Sequence, residues 1–61
     1  MQTSYQVPFL FDIPSTAKIL SISRSAVYNL IRDGELQTVR VGRARRISRN
    51  QIDAFIKRLE Q

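Results

Sequence analysis

Only two or three residues around Ile22 separate two stretches that each read as a short helix, and that spacing leaves few folds open. The first stretch starts near Pro14, a residue favoured at the first helical position, with Asp12 and Ser15 as capping groups. It covers residues 14–21 and buries Ala17 and Leu20 with help from Ile13. The second, residues 24–33, has Ser23 as its N-cap, and Ile22 is placed to staple onto Val27. Val27, Leu30 and Ile31 recur at i, i+3, i+4 as an inner stripe, and Gly34 ends the helix as a residue able to take positive φ. Two short helices joined so tightly form a helix-turn-helix, whose second helix usually reads the major groove.

A period-two stretch follows. Val39 and Val41 alternate with Thr38 and Arg40, and Ile47 lies beyond a turn containing Gly42. If Val39, Val41 and Ile47 share the inner face, a three-residue loop of Gly42, Arg43 and Ala44 places Val39 opposite Ile47 and Arg40 opposite Arg46. Residues 38–47 are then a β-ribbon with arginines outward and Arg43 at its tip: a wing. The closing helix, residues 49–59, begins with Ser48-Arg49-Asn50-Gln51, a capping box, and Ile47 can staple onto Ile52. Ile52, Phe55, Ile56 and Leu59 form its inner stripe. The expected fold is mainly α with a small β-hairpin, a winged helix-turn-helix filling residues 1–61 as a single domain, with 1–10 as an N-terminal arm.

The charge is concentrated in that wing. Residues 40–49 hold five arginines and no acid, and the other 51 residues carry five basic and five acidic side chains, which cancel. Like charges repel and weaken a compact state, so folding gives no reason for the cluster. A polyanion supplies the missing counter-charge, and arginine favours planar, bidentate contacts to phosphate or to a guanine edge.

Composition narrows the alternatives. The chain has no cysteine and no histidine, which removes disulfides, thiolate metal sites and the commonest general base. Its acids, Asp12, Asp33, Glu35, Asp53 and Glu60, are scattered, so no catalytic constellation, metal site or cofactor is expected. The apolar stretch from Val7 to Phe11 contains Pro8 and is too short to span a bilayer, so the cytoplasm, or wherever DNA is, is the expected address. Its expected role is packing over a small core, with contact to another protein as the alternative. No aromatic is expected on a strand as a stacking platform, which argues against single-stranded or RNA recognition.

The run from Phe11-Asp12-Ile13 through Ser23-Arg24-Ser25-Ala26-Val27-Tyr28-Asn29-Leu30-Ile31-Arg32 to Gly34-Glu35-Leu36, then Val39-Arg40-Val41-Gly42-Arg43 and Arg46-Ile47, resembles the winged helix-turn-helix of MerR-like excisionase and AlpA-type proteins. The resemblance covers residues 11–58 and is strongest to phage excisionases, the recombination directionality factors that work with a tyrosine integrase. It implies a monomer in solution that binds tandem direct-repeat sites beside a phage attachment site. Neighbouring copies would then contact each other and bend the DNA, helping integrase run excision. Three positions depart from the family pattern: Arg45 stands where an aromatic is frequent, Pro14 where an acid is usual, and Ser21 where glycine is frequent.

The candidate DNA-binding residues fall into two sets. On the second helix they are Ser23, Arg24, Ser25, Tyr28, Asn29 and Arg32. Arg24 and Ser25 sit in the first turn, where free N–H groups and the helix dipole favour phosphate, though Arg24 can instead read guanine and Asn29 adenine. Tyr28 stacks on sugar, donates to phosphate or covers the core edge, while Arg32 is a phosphate clamp or a plain surface residue. On the wing, Arg43 and Arg45 suit the minor groove, and Arg40, Arg46 and Arg49 suit phosphates. Arg45 can alternatively lie along the core with its head in solvent.

Two other readings compete with the excisionase. A small transcriptional regulator would use the same surface but bind a palindrome. MerR-type regulators usually carry a long dimerisation helix and a sensor region, which a chain of 61 residues is not expected to hold, and this favours the excisionase. An interaction module for an acidic protein or a membrane would show no preference among duplexes.

Overall fold

A computed structural model describes residues 9–61, so the expectations for residues 1–8, Val7 included, lie outside the described residues. In chain order the elements are β1 (Leu10–Phe11), α1 (Ile13–Leu20), α2 (Arg24–Arg32), β2 (Val39–Val41), β3 (Ala44–Ser48) and α3 (Arg49–Leu59). The three strands form one antiparallel sheet in the order β1-β3-β2. The architecture is a winged helix-turn-helix: a tight helix pair, a hairpin and a closing helix.

Side-chain caps set the helix starts. Asp12 Oδ1 accepts from the Ser15 N–H at 2.9 Å, so α1 begins at Ile13, one residue before Pro14. Proline is tolerated there because the first-turn N–H groups have no intrahelical acceptor. Ser23 Oγ accepts from Ala26 N–H at 3.0 Å, and Ser48 Oγ accepts from Gln51 N–H at 3.1 Å. Such caps are each worth about 1 kcal/mol.

The turn between α1 and α2 is tight because α1 ends in a Schellman arrangement. Ser21 takes φ 59°, its N–H bonds to the Lys18 carbonyl at 3.2 Å, and the Ile22 N–H bonds to the Ala17 carbonyl at 3.0 Å. At the end of α2, Gly34 (φ +81°) does the same chemistry, with Gly34 N–H to Ile31 carbonyl at 3.1 Å and Glu35 N–H to Leu30 carbonyl at 2.8 Å. That reversal drops Leu36 into the centre of the core.

The core is Ile13, Ala17, Val27, Leu36, Ile47, Ile52 and Phe55, with Phe11, Leu20, Leu30, Ile31 and Ile56 packed around it. Thr16 is also fully buried, and its hydroxyl donates to the Asp12 carbonyl at 2.9 Å, which removes the cost of burying it. The inner stripe of α3 stops short of expectation. Leu59 is 67% exposed, because so small a core ends at Ile56.

The hairpin register differs from the one parity suggested. Val39 pairs with Arg46, Arg40 with Arg45 and Val41 with Ala44, leaving Gly42 and Arg43 as a two-residue turn. Gly42 has φ +61°, while Arg43 does not take positive φ, the pattern of a type II′ turn. One residue less in the loop turns over every partner on the strand. Val39 and Val41 therefore share a face with Arg46 and stand exposed, and Arg40 and Arg45 share the face of Ile47.

Candidate nucleic-acid interface

The helix pair is what positions the first set of candidate residues. With Val27 turned inward and fully buried, Arg24, Ser25, Tyr28, Asn29 and Arg32 are all exposed on α2, and Ser23 caps it. Tyr28 is 53% exposed, so covering the core edge does not occupy its whole ring. Arg32 is engaged with its neighbour Asp33, Nε to Oδ1 at 3.3 Å, on an open surface where such pairs contribute little. Arg24 and Ser25 lie in the first turn of α2, which carries no acidic side chain. That end of the helix keeps its attraction for an anion.

The hairpin positions the second set. Arg43 occupies the turn, Arg40 and Arg45 oppose each other across the strands, Arg46 follows on the other face, and Arg49 opens α3. Arg40, Arg43, Arg45 and Arg49 are exposed, and Arg46 is half-buried. Among the described residues, none of these five forms an ion pair; the pairs present use Arg32 with Asp33 and Arg58 with Glu35. Arg45 is exposed on the core-side face, so it neither fills an aromatic's place in the core nor pairs with an acid.

Arg46 has a different environment. Its Nη1 donates to the Arg45 carbonyl at 3.0 Å. It lines an open concavity of about 460 Å³ with Asp12, Ser15 and Lys18 over Leu10, Phe11 and Ile19. The Asp12 carboxyl there is held below its ordinary value of 3.8, first by the Ser15 N–H and hydroxyl, then by the Arg46 and Arg24 charges, with desolvation acting the other way. The starts of α1 and α2 and the strand β3 thus converge electrostatically. Neither Lys18 nor this role of Asp12 is legible in the sequence; nothing in their spacing marks a contact that only the fold creates.

Arg58 belongs to the scaffold. Its Nη2 donates to the Glu35 carbonyl at 2.6 Å, and its guanidinium stands 5.8 Å from the centre of the Phe55 ring. This ties the end of α3 to the turn after α2. No helix among the described residues is long and apolar enough to cross a membrane.

A capped helix with a polar outer face, together with a two-stranded ribbon whose arginines form no ion pair among the described residues, defines a winged helix-turn-helix protein. The chain belongs to the helix-turn-helix domain family, which matches residues 10–60. It is similar to a probable excisionase from Saccharopolyspora erythraea, 42% identical over 50 residues that cover 82% of this chain and 51% of that relative. The chain thus spans about half the length of that relative. The excisionase-like helix-turn-helix family expected from the sequence motifs is the one found.

Proposed function

We propose that this chain is a non-enzymatic, double-stranded DNA-binding protein of the excisionase type. In this reading Arg24, Ser25, Tyr28, Asn29 and Arg32 on α2 face the major groove, while Arg40, Arg43, Arg45, Arg46 and Arg49 on and beside the wing meet the backbone and the adjacent minor groove. The observation that carries it is the wing: five arginines on one hairpin and the helix start after it, none ion-paired among the described residues, beside an exposed helix face. The similarity to a probable excisionase supports the finer role. That role is binding tandem sites near a phage attachment site, as a monomer that meets neighbouring copies on the duplex. The resulting bend directs a phage tyrosine integrase toward excision.

The physical test is the salt dependence of duplex binding. If four to five phosphates are neutralised, log K against log salt has a slope of about −4, from about −0.9 per contact. A flat response would remove the electrostatic basis of the reading.

A further inference from the structure

We propose that Arg40 and Arg45 act as one unit, a cross-strand clamp that closes on a single phosphate group of the DNA backbone. This rests on the DNA-binding reading above and narrows it to one subsite. The two residues are direct partners across the hairpin, one step in from the Val41–Ala44 pair that closes the turn. In a two-residue hairpin the closing pair is hydrogen-bonded and the next pair is not. Non-bonded partners have Cα atoms only about 4.5 Å apart, and their side chains approach most closely. Paired residues leave the same face of a sheet, here the face of Ile47, so both guanidinium groups rise on the side where the helices pack.

The neighbouring arginines are placed differently. Arg43 is in the turn, and Arg46 leaves by the opposite face beside Val39, where the Asp12 carboxylate feels its charge. Neither Arg40 nor Arg45 is ion-paired among the described residues, and both are exposed. Like charges set directly opposite each other destabilise a strand pair. One oxyanion between them reverses the sign of that interaction. Each guanidinium presents a planar fork of donors, and a phosphodiester offers two non-bridging oxygens, so one group can be shared by both. An arginine inserted alone into the minor groove would need no second arginine at the opposing position.

The test compares wild type, Arg40→Gln, Arg45→Gln and the double variant for binding to a short labelled DNA duplex across a salt series, with melting curves to verify folding. A shared phosphate is one contact. Each single substitution should then remove most of the effect, and the double should cost little more than either. The salt slope of the double should fall by about 0.9. Additive losses, with a slope change of about 1.8, mean two separate phosphates and overturn the clamp. A double variant that binds like wild type, while Arg43→Gln weakens binding, also overturns it and leaves the DNA reading intact. If wild type binds no duplex, the DNA reading fails and inorganic phosphate decides about the clamp. A rise in melting temperature over chloride at equal ionic strength, seen in wild type and lost in the double variant, keeps the clamp as a site for free phosphate. The same response in both proteins overturns it.

Discussion

Gln51 accepts a hydrogen bond from the Gln37 N–H at 3.2 Å instead of reaching back to Ser48 as a capping box would have it do. Only half of the box forms, the Ser48 hydroxyl on the Gln51 N–H. The other half becomes a tie between the first turn of α3 and the chain just before β2. The base of the wing is thereby fixed to the closing helix.

Replacing Gln51 by Met keeps the side-chain length and removes the acceptor. The expected cost is about 0.5–1 kcal/mol, the net worth of an ordinary hydrogen bond. Amide exchange should quicken at Gln37 and leave the Ile56 and Leu30 amides within the helices less affected. Uniformly faster exchange would mean global destabilisation and not the loss of a local tie.

The free protein should gain stability from Arg45→Gln, because the substitution removes one of two opposed charges at no cost to the core. Cross-strand pairs of this kind are worth roughly 0.2–1 kcal/mol, which in so small a domain is up to several degrees in melting temperature. DNA affinity should fall in the same variant. A lower melting temperature would show that the Arg45 side chain contributes packing.

Ser21 holds a left-handed backbone conformation without being glycine, the only such case among the described residues. That conformation costs a residue with a Cβ roughly 1–2 kcal/mol, partly offset by the greater unfolded-state freedom of glycine. Ser21→Gly is expected to raise stability by about 0.5–1 kcal/mol in chemical denaturation, with the helix-turn-helix geometry unchanged. A loss of stability would mean that the Ser21 side chain makes a compensating contact.

The Asp12 carboxyl is held below its ordinary value of 3.8 by its cap bonds and by Arg46 and Arg24. A group depressed in the folded state contributes stability above its unfolded value and loses it as pH falls through the folded value. Asn caps a helix nearly as well but does not titrate. Asp12→Asn should therefore melt below wild type near neutral pH, and the gap should close as pH drops below about 4. A gap independent of pH would assign the effect to the cap alone.

What local chemistry dictates was legible in the sequence. Asp12, Ser23 and Ser48 cap as their residue types require, and Gly34 takes the positive φ its position demands. The outer face of α2 followed from burying Val27. The wing was legible as an arginine cluster and not as a register. Pairing Val39 and Val41 with the core face assumed that apolar residues on a ribbon point inward, but the Gly42-Arg43 turn fixes the register and leaves both valines in solvent. Leu36 showed no periodicity because it sits in a reversal outside any helix or strand, yet it is almost wholly buried. The concavity joining Arg46, Lys18 and Asp12 has no sequence signal, since α1 and β3 meet only in the folded chain.

A footprint of the purified protein on DNA from its own genomic neighbourhood, taken over a protein titration, addresses the function most directly. Protection that spreads cooperatively over adjacent sites in the same orientation is the expected result, and it should weaken when Arg43 is replaced. Protection of a single inverted repeat would contradict the excisionase reading in favour of a dimeric regulator. Diffuse, salt-sensitive binding without a discrete footprint would contradict sequence-specific recognition altogether.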